Sequence, residues 1–288
     1  MTSIKHVGVV GAGQMGQGIT EVCARAGLHV TLCDTTEDRA RAGLGGVADS
    51  LLRAEKRGTI TPDDRAHALA GISATADLSR LSGADLVIEA AVEDERAKTA
   101  LFRRLDEVVA DPNAVLASNT SSIPIARLAA ATGRPHAVVG LHFFNPVPVM
   151  PLVEVIPALQ TSKATELRVR AFAGELLGKK TVLAQDRAGF VVNSLLIPYL
   201  LAAVRMVGSG TATAEDIDTG MTEGCAHPMG PLRLADLIGL DTVAAIGEAL
   251  YEEHREPLYA PPPLLRRMVE SGLLGRKSGE GFFRYRAA

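Results

Sequence analysis

"KHVGVVGAGQMG", residues 5–16, decides the fold of this chain, because it joins a short apolar strand directly to a glycine-rich turn. In a turn of this kind Gly11 permits the tight bend, Gly13 lets the backbone approach a pyrophosphate, and Gly16 lets helix and strand pack closely. A GxGxxG pattern is weak evidence by itself, but it gains meaning when a strand precedes it and a helix follows. The segment is therefore predicted to bind a dinucleotide.

A helix is predicted directly after the turn, over residues 17–26, where apolar residues recur at helical spacing. Its N–H groups and positive dipole end would face the phosphates, with Gln14 and Met15 in the loop beside them. The next strand, residues 28–34, ends in Asp34, whose carboxylate can accept hydrogen bonds from an adenosine ribose diol. That charge would repel a 2′-phosphate, and no arginine stands in "DTTED", so the pattern favours NAD over NADP. The open alternative is a structural turn in which Asp34 caps the next helix.

Strands alternate with helices through the first part of the chain. Further strands are predicted at residues 85–90, 114–118 and 137–143, with helices near 36–57, 95–109 and 123–131. This alternation predicts parallel pairing in a doubly wound α/β sheet of the Rossmann type. After residue 185 the pattern becomes helical, with helices predicted at 190–207, 213–221, 231–253 and 262–272. We therefore predict an NAD-binding domain over residues 1–187 and an all-α substrate and dimerisation domain over residues 188–288.

Composition and charge argue against several classes of protein. The 288 residues carry a net charge of -3, which gives no support to general nucleic-acid binding. The most apolar segment, residues 190–208, is interrupted by Asn193, Pro198 and Arg205, so we predict a helix buried in protein and no membrane span. Three cysteines without CxxC spacing indicate neither a disulfide framework nor a metal site. The N-terminus lacks the pattern of a signal peptide, so a cytoplasmic protein is expected.

A candidate proton-transfer site lies at the carboxyl ends of the predicted strands, where doubly wound sheets bind their ligands. The segments "EAAVED" (89–94), "SNTSS" (118–122) and "LHFFNPVPVMPLVEVI" (141–156) qualify as strand ends. His142 suits the removal of a hydroxyl proton, since the unperturbed pKa of histidine is about 6.5. Glu154 lies in an apolar run, where a buried glutamate usually has a partner, and a carboxylate could fix the imidazole. Taken alone, His142 could equally be a core histidine.

The motifs "SNTSS", "GLHFFNPVPVMPLVEVI", "GFVVN" and "PMGPLRLADLIGLD" resemble those of the L-3-hydroxyacyl-CoA dehydrogenase family. The similarity runs from the first strand to "GRKSGEGFFRY", effectively the whole chain. It implies NAD-dependent oxidation of a short-chain substrate such as 3-hydroxybutyryl-CoA, with His142 as general base and Glu154 as its partner. Ser121 would bind near the 3-hydroxyl and Asn193 would hold the reacting portion of the substrate. The residues implied for the nicotinamide half of the cofactor are Glu93, Lys98, Ser121, Asn145 and Lys277.

Two positions depart from the family pattern, which often reads "PGF" with Asn-Arg following. Here Ala188 replaces the proline and Ser194 the arginine. For coenzyme A the resemblance implies Ser50 and Arg57, which lie at helical spacing, although such a charged run is usually only a solvated face. The helix at 190–207 is apolar nearly all round, so we predict that the C-terminal domain forms a homodimer.

The same residues are also compatible with other functions. The substrate could be a functionalised acyl-CoA such as 3-hydroxyadipyl-CoA from aromatic degradation, and similar folds dehydrogenate free sugar acids such as gulonate. From a different class, the chain could be a non-catalytic NAD-binding protein, but the joint presence of Ser121, His142, Glu154 and Asn193 argues against that. Individually, Ser121 could cap a helix and Asn193 could be a core amide. No hydratase-like region precedes the first strand, so a fused bifunctional enzyme is not expected.

Overall fold

The first part of the chain is built on one eight-stranded sheet. The computed structural model describes residues 4–285 and divides the chain into two units, Met1–Asp186 and Arg187–Ala288. The strands of the first unit are β1 His6–Val10, β2 His29–Cys33, β3 Ile72–Thr75, β4 Leu86–Glu89, β5 Val115–Ser118, β6 Val138–Phe143, β7 Leu152–Pro157 and β8 Lys180–Leu183. Their order in the sheet is β3-β2-β1-β4-β5-β6-β7-β8.

Helices separate most of these strands, as the alternating sequence pattern predicts. They are α1 Gln14–Arg25, α2 Glu37–Lys56, α3 Pro62–Ala70, α4 Glu95–Val108, α5 Ile125–Ala130 and α6 Lys163–Ala171. Strands β1 to β6 are all parallel, in the order 3-2-1-4-5-6 of a dinucleotide-binding sheet. The predicted fold class, a doubly wound α/β sheet followed by an all-α domain, is confirmed.

The sheet departs from purely parallel pairing at one edge. Strand β7 runs antiparallel to β6, and β8 is parallel to β7. The predicted parallel pairing holds for the five strands identified from the sequence, and the antiparallel pairing of β6 with β7 is the one departure from it; β3, β7 and β8 were not identified from the sequence. The segment between β6 and β7 contains no helix among its described residues, so the chain turns back beside β6 without the crossover that parallel pairing needs.

Burial explains why the central strands read as continuous apolar runs. All residues of β4, β5 and β6 are buried, as expected for strands covered on both faces. The helix α1 lays buried residues such as Ile19, Val22 and Cys23 onto the same core. By contrast, the edge strand β8 is mostly exposed and carries a lysine, which protects a sheet edge from unwanted pairing.

The second unit is helical. Its helices are α7 Val192–Gly208, α8 Ala214–Cys225, α9 Pro231–Ile238, α10 Leu240–His254 and α11 Pro263–Glu270. The single helix predicted at 231–253 is wrong, because Gly239 breaks it with a φ of +105°. A side chain at Gly239 would be strained at that φ, and its Cβ would lie 3.0 Å from a carboxylate oxygen of Asp241. Among the residues that the model describes, no helix has both the length and the apolar character needed to cross a bilayer.

Candidate active site

The glycine turn between β1 and α1 forms the first part of the site. Gly11 has a φ of +105°, and a Cβ there would lie 2.4 Å from the carbonyl oxygen of Ala90. A Cβ on Gly16 would lie 1.7 Å from the carbonyl oxygen of Gly11, so both positions require glycine. A Cβ on Gly13 would meet no atom within 4 Å. The outer side of the turn is therefore open for a ligand to approach the backbone.

The N-terminus of α1 suits a bound phosphate. Gly13 is the N-cap residue, no side chain caps the helix, and its first turn contains no acidic residue. The leading N–H groups therefore carry the partial positive charge of the helix end without competition from a carboxylate. Gln14, which is exposed, and Met15, which is partly buried, are the first two residues of this helix. These features fit the pyrophosphate of NAD.

Asp34, one residue beyond β2, ties the next strand end to this turn. Its Oδ2 accepts a hydrogen bond from the backbone N–H of Ala12 at 2.8 Å, and its Oδ1 accepts one from that of Thr35 at 2.7 Å. Burial opposes ionisation, but these hydrogen bonds and the nearby Arg39 outweigh it and lower the pKa of Asp34. Asp34 is thus an ionised carboxylate at the position expected to meet the adenosine ribose.

A buried ion cluster lies at the carboxyl ends of β4 and β5. Lys98, only 1% exposed, places its Nζ 2.5 Å from Glu89 Oε1 and 3.2 Å from Glu93 Oε2. The other oxygen of Glu89 accepts a hydrogen bond from the hydroxyl of Ser118 at 2.6 Å. Glu93 and Lys98 were predicted as site residues, whereas Glu89 was predicted only as a carboxylate at a strand end, with no role assigned to it. Glu89 is the closest charged partner of Lys98 and connects it to β5.

Glu93 organises the serine-rich loop that follows β5. Its Oε1 accepts hydrogen bonds from the Thr120 hydroxyl at 2.5 Å, the Ser121 N–H at 3.0 Å and the Ser122 hydroxyl at 3.0 Å. Burial raises its pKa, but the Lys98 ammonium and these hydrogen bonds outweigh burial, so the pKa of Glu93 lies below its ordinary value. The loop that carries Ser121 is therefore held around a fixed negative charge.

His142 and Glu154 form a buried pair across two strands. They lie directly opposite each other in the antiparallel register of β6 and β7, so their side chains project from the same face of the sheet. His142 Nδ1 is 2.8 Å from Glu154 Oε2, and the two residues are 7% and 0% exposed. The ring of Phe144 packs edge-on against the imidazole at 4.7 Å between ring centroids. Because Nδ1–H donates to the carboxylate, Nε2 is the ring nitrogen that can take up a proton.

Asn119 was missed as a positioning residue, although it stands in the quoted segment "SNTSS". Its Oδ1 accepts a hydrogen bond from the backbone N–H of Phe143 at 2.8 Å, which ties the end of β5 to the residue after His142. Asn145 lies two residues beyond the end of β6 and is exposed, and its peptide bond to Pro146 is cis. The first unit thus brings several of the predicted residues to adjacent strand ends: Glu93, Lys98, Ser121, His142, Asn145 and Glu154.

Of the other predicted residues, two lie on or next to α2 and two belong to the second unit. Ser50 is partly buried within α2, and Arg57 is the exposed residue that ends this helix. In the second unit, Asn193 is 8% exposed in the first turn of α7. Lys277 pairs with Asp241, its Nζ 2.6 Å from Oδ2. The segment around Lys277 is anchored by the fully buried Asp236, which accepts hydrogen bonds from the backbone N–H groups of two phenylalanines, Phe282 and Phe283.

This geometry fits a nicotinamide-dependent dehydrogenase. The glycine turn and Asp34 fit the two ends of an adenosine diphosphate moiety, and the buried His142–Glu154 pair lies at the neighbouring strand ends, where a dehydrogenase would need a proton acceptor. Across residues 4–285, no cluster of three or more histidine, cysteine or acidic side chains has the geometry to hold a metal ion.

Comparisons with known proteins narrow the class further. The family model "3-hydroxyacyl-CoA dehydrogenase, NAD binding domain" matches residues 6–187, and the model of the C-terminal domain of the same family matches residues 189–285. The chain therefore belongs to the 3-hydroxyacyl-CoA dehydrogenase family. The resemblance noted from the sequence motifs is confirmed.

Several relatives match over nearly the full length of the chain. A 3-hydroxybutyryl-CoA dehydrogenase of Mycobacterium tuberculosis is 56% identical over 283 residues, which cover 98% of this chain and 99% of the relative. The mitochondrial hydroxyacyl-coenzyme A dehydrogenase of Sus scrofa is 43% identical, covering 98% of this chain and 92% of the relative. Among solved structures, the (S)-3-hydroxybutyryl-CoA dehydrogenase PaaH1 from Ralstonia eutropha has a TM-score of 0.94 at 46% identity, covering 99% of this chain and all of the other.

Proposed function

We propose that this protein catalyses the reversible, NAD-dependent oxidation of (S)-3-hydroxybutyryl-CoA to acetoacetyl-CoA. Membership of the family gives the reaction class, and the relatives named above support the four-carbon acyl group. The observation that carries the proposal is the hydrogen bond of 2.8 Å between His142 and the fully buried Glu154. A dehydrogenase of hydroxyl groups needs such a base, whereas a protein that only bound NAD would not need it.

The proposed mechanism assigns the proton to His142. As the C3–H bond breaks, Nε2 of His142 removes the proton of the 3-hydroxyl group and a C3 carbonyl forms. NAD, when bound, supplies the acceptor for the hydride that leaves C3. The resulting imidazolium lies against the Glu154 carboxylate, which balances its charge without taking the proton. In the reverse direction, His142 returns the proton to the oxygen of the 3-oxo group.

Other residues of the chain hold the reactants in this scheme. Ser121 would donate a hydrogen bond to the oxygen at C3, and its backbone is fixed by the bond of 3.0 Å from its N–H to Glu93. Asn193 would hold the reacting portion of the thioester. For the nicotinamide half of NAD, the proposed contacts are Glu93, Lys98, Ser121, Asn145 and Lys277. Gly11, Gly13, Gln14, Met15, Gly16 and Asp34 would bind the adenosine diphosphate half.

Ser50 and Arg57 are proposed to contact the phosphates of coenzyme A. The two residues are two helical turns apart, and Arg57 ends α2 with its guanidinium exposed. An arginine can bind a phosphate through two parallel N–H···O bonds, so the exposed position suits a ligand that arrives from solvent.

Turnover of acetoacetyl-CoA tests the proposed function. Purified protein is mixed with NADH and one of three substrates, which are acetoacetyl-CoA, 3-oxoadipyl-CoA and free acetoacetate. The loss of NADH absorbance is then followed. We expect rapid oxidation of NADH with acetoacetyl-CoA and a kcat/KM at least about 100-fold lower with free acetoacetate, because the binding energy of the remote coenzyme A moiety contributes to catalysis.

The other outcomes separate the remaining candidates. If 3-oxoadipyl-CoA were turned over faster than acetoacetyl-CoA, the proposed mechanism would stand, but the proposed substrate would be the longer dicarboxylic acyl-CoA. Activity on free acids without coenzyme A would point to a gulonate-type enzyme. NADH binding without turnover of any of the three would contradict the proposal and leave a non-catalytic NAD-binding protein.

We also propose that the protein is a homodimer through the helical domain, and that it is cytoplasmic. The helix α7 exposes an apolar stripe, with Leu195 73% and Met206 41% exposed and the exposed Ala202 between them on the same face. Three residues at this spacing lie along one line of a helix, so a second copy could cover them together. The three cysteines are free thiols in the structure, which supports a reducing compartment.

The variant Leu195→Glu tests the dimer. We expect wild type to sediment as a dimer and Leu195→Glu to have a dimer dissociation constant at least about 100-fold higher, because an unpaired carboxylate would be buried in the interface. The matched control is Leu159→Glu, since Leu159 is 99% exposed in the first unit and lies outside the stripe. A monomeric wild type, or equal association of Leu195→Glu and wild type in sedimentation equilibrium, would contradict the proposal.

A further inference from the structure

We propose that Arg39 is a specificity-determining residue of the cofactor site, and that it allows the protein to use NADPH as a slower alternative to NADH. The inference rests on the proposed function only in that both concern the same cofactor site. It arises from a contact that the linear sequence does not show. Arg39 stands one residue beyond "DTTED", the segment whose lack of an arginine favoured NAD over NADP.

The structure places the Arg39 guanidinium against the acidic residue that should reject NADP. Arg39 Nε is 2.9 Å from Asp34 Oδ1, which also accepts hydrogen bonds from the N–H and the hydroxyl of Thr35. The Asp34 side chain is only 7% exposed, so little of its charge is screened by water. Arg39 is thus the cation that neutralises Asp34, and the two together offer a ribose a neutral pair in place of a lone carboxylate.

The start of α2 explains how Arg39 reaches back to Asp34. Thr36 is the N-cap residue of this helix, and its hydroxyl accepts a hydrogen bond from the Arg39 N–H at 3.3 Å. This cap places Arg39 in the first helical turn, close in space to the strand end that precedes the helix.

Arg39 keeps donors for a further ligand. It is 66% exposed at its side chain, and its contact with Asp34 uses only Nε. In residues 4–285 its terminal nitrogens make no other hydrogen bond or ion pair to the protein. A guanidinium can bind a carboxylate through one edge and a phosphate through another, because its five N–H groups point outward in one plane. A 2′-phosphate on the adenosine ribose would meet these terminal N–H groups.

The surrounding charges explain why NADH should still be preferred. Two acidic residues, Glu37 and Asp38, lie in the same helical turn, and Arg41 is 4.0 Å from Glu37 and 3.8 Å from Asp38. Together, Asp34, Glu37 and Asp38 carry one more negative charge than Arg39 and Arg41 supply. A dianionic 2′-phosphate is therefore attracted by Arg39 but meets a slightly acidic environment, so NADPH should bind more weakly than NADH.

The test compares two cofactors in wild type and two variants. Dissociation constants of NADH and NADPH are measured by nicotinamide fluorescence for wild type, Arg39→Gln and Arg39→Lys, and kcat/KM for both cofactors is measured with acetoacetyl-CoA. We expect wild type to bind NADPH about 10- to 100-fold more weakly than NADH. In Arg39→Gln the dissociation constant of NADPH should be at least about tenfold higher than in wild type, while that of NADH should change less than about threefold. Arg39→Lys should restore part of the NADPH binding.

A matched control and the binding measurement make the outcome specific. Arg41→Gln removes a neighbouring arginine whose partners are Glu37 and Asp38, so it should change the ratio of the two constants less than Arg39→Gln does. The assignment would be overturned if NADPH did not bind to wild type. It would also be overturned if the ratio of the NADPH and NADH dissociation constants were the same in wild type and Arg39→Gln. Because cofactor binding is measured without substrate, this result is independent of whether acetoacetyl-CoA is turned over.

Discussion

Replacing His142 with glutamine is expected to lower kcat by about 10²- to 10⁴-fold, the range that a positioned general base contributes. Glutamine is close to histidine in size and can still hydrogen-bond Glu154, but its amide nitrogen cannot take up a proton at neutral pH. The proton of the 3-hydroxyl would then have no acceptor at this position. The measurement is steady-state turnover of acetoacetyl-CoA in one direction and of 3-hydroxybutyryl-CoA in the other, because the same group serves both.

NADH binding separates the loss of a base from the loss of the fold. The dissociation constant of NADH should change by less than about twofold in His142→Gln, since the glycine turn and Asp34 are unchanged. His136→Gln is the matched control, because His136 is exposed and precedes the same strand, and it should retain wild-type kcat. If His142→Gln turned over substrate at the wild-type rate, His142 would be a core histidine that hydrogen-bonds Glu154 only for stability.

The cofactor turn could be predicted from the sequence because its determinants are local. Gly11, Gly13 and Gly16 lie within one turn between a strand and a helix: Gly11 is required by its own φ of +105°, and Gly16 by the carbonyl oxygen of Gly11 five residues earlier. Asp34 follows from the same reasoning, since it comes directly after the next strand along the chain.

The pairing of His142 with Glu154 depends on an element that periodicity did not reveal. Strand β7 is antiparallel in a sheet that is otherwise predicted to be parallel, and only its register with β6 brings the two side chains opposite each other. A shift of one residue would place Glu154 on the other face of the sheet. The apolar run around Glu154 predicted that this carboxylate has a partner, but the geometry of the pair follows from strand pairing.

Two ion pairs that were not predicted from the sequence form across the start of a helix. Glu89 contacts Lys98 across the turn from β4 to α4, and Arg39 contacts Asp34 across the start of α2. In each case two charges separated by several residues meet because a helix begins between them. Such partners cannot be found among the residues directly after a motif.

Replacing Glu154 with glutamine is expected to lower kcat by about 10²- to 10⁴-fold while leaving KM for acetoacetyl-CoA within about threefold, because Glu154 acts through His142 and does not touch the substrate. The amide keeps the shape of the carboxylate but loses the charge that stabilises the imidazolium, and its NH₂ group can turn toward the ring and favour the wrong tautomer. The thermal midpoint should stay at or above that of wild type, since a neutral group of equal volume replaces a fully buried charge.

A second buried glutamate provides the comparison that makes this result diagnostic of catalysis. Glu166 is 7% exposed and is paired with Lys163 in α6, so Glu166→Gln removes a buried carboxylate without changing the His142 environment. We expect Glu166→Gln to retain wild-type kcat, with any loss confined to thermal stability. Circular dichroism melts and steady-state kinetics on both variants separate the two effects. Wild-type kcat in Glu154→Gln, or a loss of kcat that only follows the fraction of unfolded protein, would show that the 2.8 Å contact with His142 is structural.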